Sequence, residues 1–349
     1  MLSDRYLETV ADDVTQKYSE AEIEIICHMI ERIMGIKDIG NYDTWKNNEI
    51  YLFAAYISQE MVALQSQTNE MIRKAIQDSV IKAVEADMAI LKATLSLSDA
   101  MNSIIVDGVN STFSEFAKLN DIITSSSNQQ FINALDDAYL KSLAGKPYRE
   151  IINEACTKLG KQGIDIIDFP KRQDKVEVAV RRALISSVNK TAGEAQLQNC
   201  KELNCNVVET TSHMGARPTH AIWQGKNFWV NEPVPGLENF KSATGYGQID
   251  GLCGVNCYHS FMPNPNYPDT SAVQYDINRN NEQYELEQKQ RYNERMIRYW
   301  KRRLEVKKTG ETDSTKEQNK VREWQKKQRE LIKANSSSLK RDYSREKIY

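Results

Sequence analysis

Apolar residues in the first half of the chain recur every three or four positions. Ile72, Ile76, Val80, Val84, Met88 and Leu91 form one such stripe, and Arg73, Lys74, Gln77 and Asp78 fall on the opposite side. That spacing predicts an amphipathic helix. Neither glycine nor proline occurs between Gly40 and Gly108, so no residue in that interval forces the helix to stop. Residues 1–145 therefore read as a mostly helical region of long elements, with a break expected at Ser125–Gln130 (SSSNQQ). Helices of this kind pack on one another or on a partner protein.

The pattern changes at Gly145-Lys146-Pro147. Asp174 and Glu177 are spaced as a capping box. Behind them Val176, Val180, Leu184, Val188 and Ala192 predict a helix from Lys175 to about Cys200. Asn206–Thr211 (NVVETT) has the β-branched enrichment of a buried strand. Two apolar runs, HAIWQ and NFWV, flank Gly225-Lys226 and predict a β-hairpin. Between Gly215 and Pro268 lie 13 of the chain's 23 glycines and prolines. Trp223, Phe228, Trp229, Tyr246 and Phe261 lie in the same stretch, enough aromatic surface for a small core of turn-rich structure.

After Pro268 the chain returns to helical spacing, with Gly310 as the one glycine from Asn278 to Tyr349 and no proline. Tyr292, Met296, Trp300 and Leu304 form one narrow stripe. Val321, Trp324 and Leu331 mark a second helix over Thr315–Ile332. Helices this polar need each other or a partner to be stable. The expected fold is α+β: a mostly helical N-terminal region (1–145), a small mixed α/β central domain with a β-hairpin (146–270) and a basic helical C-terminal tail (271–349).

Charge sharpens the division. From Ser271 onward there are 21 lysines and arginines against 13 acids, a net of +8, although the whole chain is at −2, so the other 270 residues carry about −10. Such a tail is either a solvated charged helix or a surface for an acidic partner such as double-stranded DNA. No apolar run approaches the length of a membrane span, and the acidic opening MLSDRYLETVADD is unlike a signal peptide. A protein made in the cytoplasm, with thiols and no disulfide framework, follows from the six cysteines.

The central region also holds the residues with candidate chemistry. Three of the four histidines, His213, His220 and His259, fall within 47 residues, with Cys253 and Cys257 among them. Imidazole and thiolate are the usual zinc ligands, so His213, His220, Cys257 and His259 form a candidate metal set, although their spacing matches no standard finger. A His-Asn-His nuclease would use His220, Asn256 and His259, but it needs a helix where the sequence has FMPNPNYP, and proline forbids that helix. Cys257 and His259 at i, i+2 make a poor nucleophile–base pair. Arg182 and Glu209 are residue types found in ADP-ribosyl transfer, but no spacing singles them out. Arg217, fixed by Pro218, and Trp223 read as architecture: a guanidinium for turn carbonyls and a core aromatic. No cofactor is expected, with zinc as the alternative.

Two stretches, ARPTHAIWQGKNF (216–228) and GYGQIDGLCGVNCYHSFMPNPNYPD (245–269), together resemble the signature of the phage minor capsid protein 2 family, which is related to the head-morphogenesis proteins of tailed phages. The preceding helix with Arg181-Arg182, the strand and His213, and the basic segment YELEQKQRYNERMIRYWKRR (284–303), are similar to that family too. Gly215, Arg217, His220, Trp223, Gln224, Gly225, Asn256, Cys257 and His259 match the motif as fold-defining positions. Tyr258 departs from it, standing where the family commonly has a basic residue.

The resemblance implies a structural virion protein, not an enzyme. It would sit in the capsid interior or at the portal vertex and act in head assembly and in DNA packaging or ejection. Its expected partners are the portal or major capsid protein and, through the tail, packaged DNA, with no membrane. A virion-associated metal-dependent nuclease or transferase using the His/Cys cluster is the enzymatic alternative. A DNA-binding accessory head protein is the other.

Overall fold

A computed structural model describes residues 1–38, 41–94, 96–169 and 172–348. Gly40 and Tyr349, which bound two of the intervals above, lie outside the described residues. The chain opens with helices α1 (Asp4–Thr9), α2 (Asp12–Met34), α3 (Tyr42–Leu91) and α4 (Asp99–Leu143). Of these, α3 has 50 residues and α4 has 45. The expected stripe is buried at Ile72, Ile76, Val80, Val84 and Met88.

The break expected at Ser125–Gln130 does not occur, and α4 runs straight through it. Ser127 is fully buried, with buried Ile123 and Phe131 one turn to either side. A serine between two large apolar anchors is a small residue at a packed face, and packing overrides its weak helix preference. Ser125 satisfies its hydroxyl by donating back to the carbonyl of Ile122.

Next come α5 (Tyr148–Gln162), the antiparallel strands β1 (Asp165–Phe169) and β2 (Arg172–Lys175), and α6 (Val176–Glu202). Asp174 lies within β2, opposite Ile166, and Glu177 holds Arg298 through two contacts of 2.5 and 2.9 Å. The capping-box spacing thus marks the right boundary, but Glu177 is engaged by a guanidinium. Strand β3 (Val207–Thr210), α7 (Pro218–Ala221), β4 (Asn227–Trp229), α8 (Phe240–Thr244) and β5 (Phe261–Pro263) follow, and then α9 (Ile277–Thr309) and α10 (Thr315–Ala334).

The residues fall into two compact units, each assembled from three stretches of chain. The first comprises Met1–Asp13, Asn69–Phe116 and Arg181–Gln288, and the second Val14–Thr68, Ala117–Val180 and Lys289–Tyr349. These units follow packing, whereas the divisions at 145/146 and 270/271 follow changes in composition.

In the first unit the sheet has the order β4-β3-β5, antiparallel throughout. Val207 faces Trp229 and Val208 faces Phe228 on one side, and Val208 faces Pro263 on the other. The expected hairpin about Gly225 is therefore corrected: β4 pairs with β3, and the run before Gly225 is the end of a short helix followed by a turn. Pro218 sits at the first helical position, where its fixed φ and missing N–H suit a helix start. The amides of Trp223 and Gln224 then bond back to the His220 carbonyl. Val208, Trp223, Phe228, Phe240, Leu252 and Phe261 form the core beside this sheet, together with Cys200, Cys205, Cys253 and Cys257.

In the second unit α3 and α4 pair in opposite directions: Tyr42 stacks on Tyr139 at 3.4 Å between ring centroids, and Phe53 meets Phe131 at 4.3 Å. Helices α9 and α10 appear where the sequence placed them, but of the expected α9 stripe only Trp300 is buried, with Met296 and Leu304 half-buried. Tyr292 is 49 % exposed, whereas Ile297, Trp300 and Val306 are buried together with Arg302, Arg303 and Lys307. Their charges are met inside this unit. Arg302 pairs with Glu22 at 3.3 Å, Arg303 with Glu317 at 2.8 Å, and Lys307 donates to the Asn153 carbonyl at 2.8 Å. Among the described residues, no helix is long and apolar enough to cross a membrane.

Candidate metal centre

Three of the four residues proposed as metal ligands come together. The Nδ1 or Nε2 of His220, the Sγ of Cys257 and a ring nitrogen of His259 all lie within 4.8 Å of one another, and all three residues are buried. His220 is set by the short helix α7. Cys257 follows a turn whose Asn256 has a φ of +52°. His259 leads into β5, two residues before Phe261.

The hydrogen bonds around the cluster fix the protonation of each ring. His220 Nε2 lies 2.8 Å from the Asp250 carbonyl, which only accepts, so Nε2 carries the proton and Nδ1 a lone pair. Gln224 Oε1 accepts from the His213 amide at 3.1 Å, which identifies that atom as the oxygen. The same oxygen lies 3.1 Å from His259 Nε2, so this ring too is protonated on Nε2. Both Nδ1 lone pairs therefore face Cys257 Sγ, each at 3.8 Å. The Cys257 carbonyl is itself tied by Asn189 at 2.7 Å.

Burial keeps the group neutral. It pushes the Cys257 thiol up to about 11 and lowers His220 below the usual imidazole range. His259 lies well below that range, first through burial and then through the positive field of His213, His220 and Arg217. His213 is not part of the convergent set. Its ring lies against His259, 4.1 Å between centroids.

The other motif positions are architectural. Arg217 donates to the Val255 carbonyl at 3.1 Å. Trp223 is buried in the core, and its carbonyl accepts from Thr210 Oγ1 at 2.8 Å. Gly215 adopts φ +84°, a backbone conformation that side chains rarely take and glycine takes freely. Gly225 turns at φ +65° between Gln224 and β4. Asn256 takes a left-handed φ of +52° in the turn before Cys257. Glu209 is buried and binds the loop after Pro268, through Thr270 Oγ1 at 2.8 Å and the amides of Ser271 and Ala272.

Sequence reasoning missed the side-chain amides that hold this region. Gln196 bonds Asp87 and the Phe261 carbonyl, and Asn280 brackets Ala216 through both its amide and its carbonyl. A signal was present: Asn189 and Gln196 sit seven residues apart, beside the apolar stripe of α6, where an ordinary surface face was not required.

Comparison with known proteins gives a consistent picture. The chain is 26 % identical over 331 residues to a structural protein of Lactococcus phage LL-H, covering 83 % of this chain and 87 % of that one. It is 36 % identical over 110 residues to a structural protein of Lactococcus phage mv4, covering 30 % of this chain and 86 % of that one. No solved structure matches it. The family model described as Phage minor capsid protein 2 matches residues 2–333, nearly the whole chain and including both motif stretches, and the protein belongs to that family.

Proposed function

We propose that the chain is a structural component of a tailed-phage virion that acts in head assembly at the portal vertex. The observation that carries this reading is the family match over residues 2–333, beside relatives named only as structural proteins. The geometry supports it. The polar ends of His220, His259, Arg217 and Asn189 are engaged with the chain's own loops, as architecture requires. His220 and His259 are 2 % and 1 % exposed, which gives a polymeric substrate no approach. The long helices supply extended surfaces for docking on a ring or shell.

The test is coexpression of the full chain with the portal protein or the major capsid protein of its own phage. A complex with the portal is expected. Assembly with the shell protein alone, and none with the portal, would reject the vertex placement.

Contact with packaged DNA belongs to the same reading, with one refinement. The cations of α9 that are buried serve the fold. Helix α10 carries seven lysines and arginines against three glutamates. Arg322, Lys326, Arg329 and Lys333 are exposed and recur every three or four residues, so they share a face. That face is the surface for phosphate, with affinity that falls as salt rises.

A further inference from the structure

We propose that His220, Cys257 and His259 bind one zinc ion, through the two Nδ1 atoms and the cysteine sulfur, with the fourth position taken by water. A thiol has one hydrogen, and here two imidazole lone pairs face it at 3.8 Å each. One lone pair is therefore left against sulfur without a donor, in a buried site where an unmet acceptor costs about 1–3 kcal/mol. A cation in place of the thiol hydrogen satisfies all three atoms at once.

Distances agree. Zinc bonds of about 2.3 Å to sulfur and about 2.0–2.1 Å to nitrogen in a tetrahedron put S and N about 3.6 Å apart. The structure has 3.8 Å for both S–N pairs, and all three ligand atoms lie within 4.8 Å of one another, so the two rings close on the ion by bringing their Nδ1 atoms to about 3.3 Å of each other.

The surroundings agree as well. Each ring donates its other nitrogen to a fixed oxygen, the Asp250 carbonyl for His220 and Gln224 Oε1 for His259. Ligands oriented by such outer hydrogen bonds are the usual arrangement around bound zinc. A thiolate with two imidazoles selects zinc over magnesium or calcium, which take oxygen ligands. Binding releases the Cys257 proton to solvent, so occupancy falls at low pH. The ion links α7 to the turn at 253–257 and to the start of β5, three segments that share few ladder hydrogen bonds. Its role is to staple the turn-rich core, independent of where the protein docks.

The full-length chain, purified without chelator, is expected to carry about one zinc per molecule by elemental analysis. Stripping the ion and adding cobalt should give an intense thiolate-to-cobalt charge-transfer band. Cys257→Ala should abolish the band, whereas Cys253→Ala should keep it. His213→Ala should retain the metal, and Gln224→Leu should weaken binding about 10- to 100-fold. If Cys257→Ala does not fold, the cobalt titration of the unaltered chain still decides. A wild-type chain with neither stoichiometric zinc nor a cobalt–thiolate band overturns the site. A band that survives Cys257→Ala overturns the ligand assignment, and metal loss in His213→Ala overturns the three-residue set.

Discussion

The two units bury polar side chains by different means. Around β3 and the motif loops, the buried groups are mostly neutral: Asn189, Gln196, Thr210, His220, Gln224, His259 and Asn280. In the unit that contains α10, many are charged, among them Glu22, Arg302, Arg303, Lys307 and Glu317. The backbone explains the contrast. Turns and three- or four-residue strands leave many N–H and C=O groups without ladder partners, and those groups must be met. Side-chain amides and imidazoles meet them without placing net charge in the interior. Helices satisfy their own backbones, so polar groups buried between helices have only each other, and opposite charges pair. Polar residues in the loop core therefore serve mainly the main chain, and those in the helical core add pairing with another side chain to their main-chain contacts.

Breaking a pair in the helical unit should have the largest effect. Glu22→Ala removes the partner of Arg302, at 3.3 Å, and the acceptor of the Ile164 amide, at 2.9 Å. The uncompensated guanidinium should cost about 3–5 kcal/mol in denaturant unfolding. A loss below about 1 kcal/mol would show that the pair does not organise this core.

In the loop-core unit the carboxylates of Asp87 and Glu209 are exceptions, and Asp87 is fully buried against Gln196. Burial raises Asp87 to about 7. The folded form therefore holds a proton that the unfolded chain releases near pH 4. Stability contributed by this group is present below about pH 4 and is lost as pH rises through about 7. Asp87→Asn should stabilise the protein at pH 8, by on the order of a few kcal/mol, and flatten its stability between pH 4 and 7. Thermal unfolding across that range is the check, and an unchanged slope would contradict the assignment.

Gln196→Leu should cost less, about 1–3 kcal/mol, because it strands the Phe261 carbonyl while placing a carboxylate already raised in pKa beside an apolar side chain. The smallest effect on stability belongs to α10. Reversing Arg322, Arg329 and Lys333 to glutamate should leave unfolding within about 0.5 kcal/mol. Titration at low salt is expected to detect weak, salt-sensitive binding of the full chain to duplex DNA, and the same change should remove it.

These differences also show what the sequence could convey. Helix periodicity is a local property, so α3, α6, α9 and α10 were legible from spacing alone. The break at Ser125–Gln130 was misread because small polar residues signal a turn unless neighbouring large ones are packed, as Ile123 and Phe131 are. The hairpin was misread because Pro218 starts a helical turn as readily as it bounds a strand. For α9 the stripe is misjudged because buried arginines look like surface in a sequence, and only their partners on other helices, Glu22 on α2 and Glu317 on α10, reveal otherwise. At the site, residue types pointed to His220, Cys257 and His259. The direction of their lone pairs depends on Asp250 and Gln224, which composition does not specify.

The central claim, a minor structural protein at one vertex of the head, is tested most directly by counting the chain in purified virions and in heads assembled without the portal. A few copies per DNA-filled particle and none in portal-less heads are expected. Absence from purified virions, or a copy number that follows the shell protein whether or not the portal is present, would contradict it.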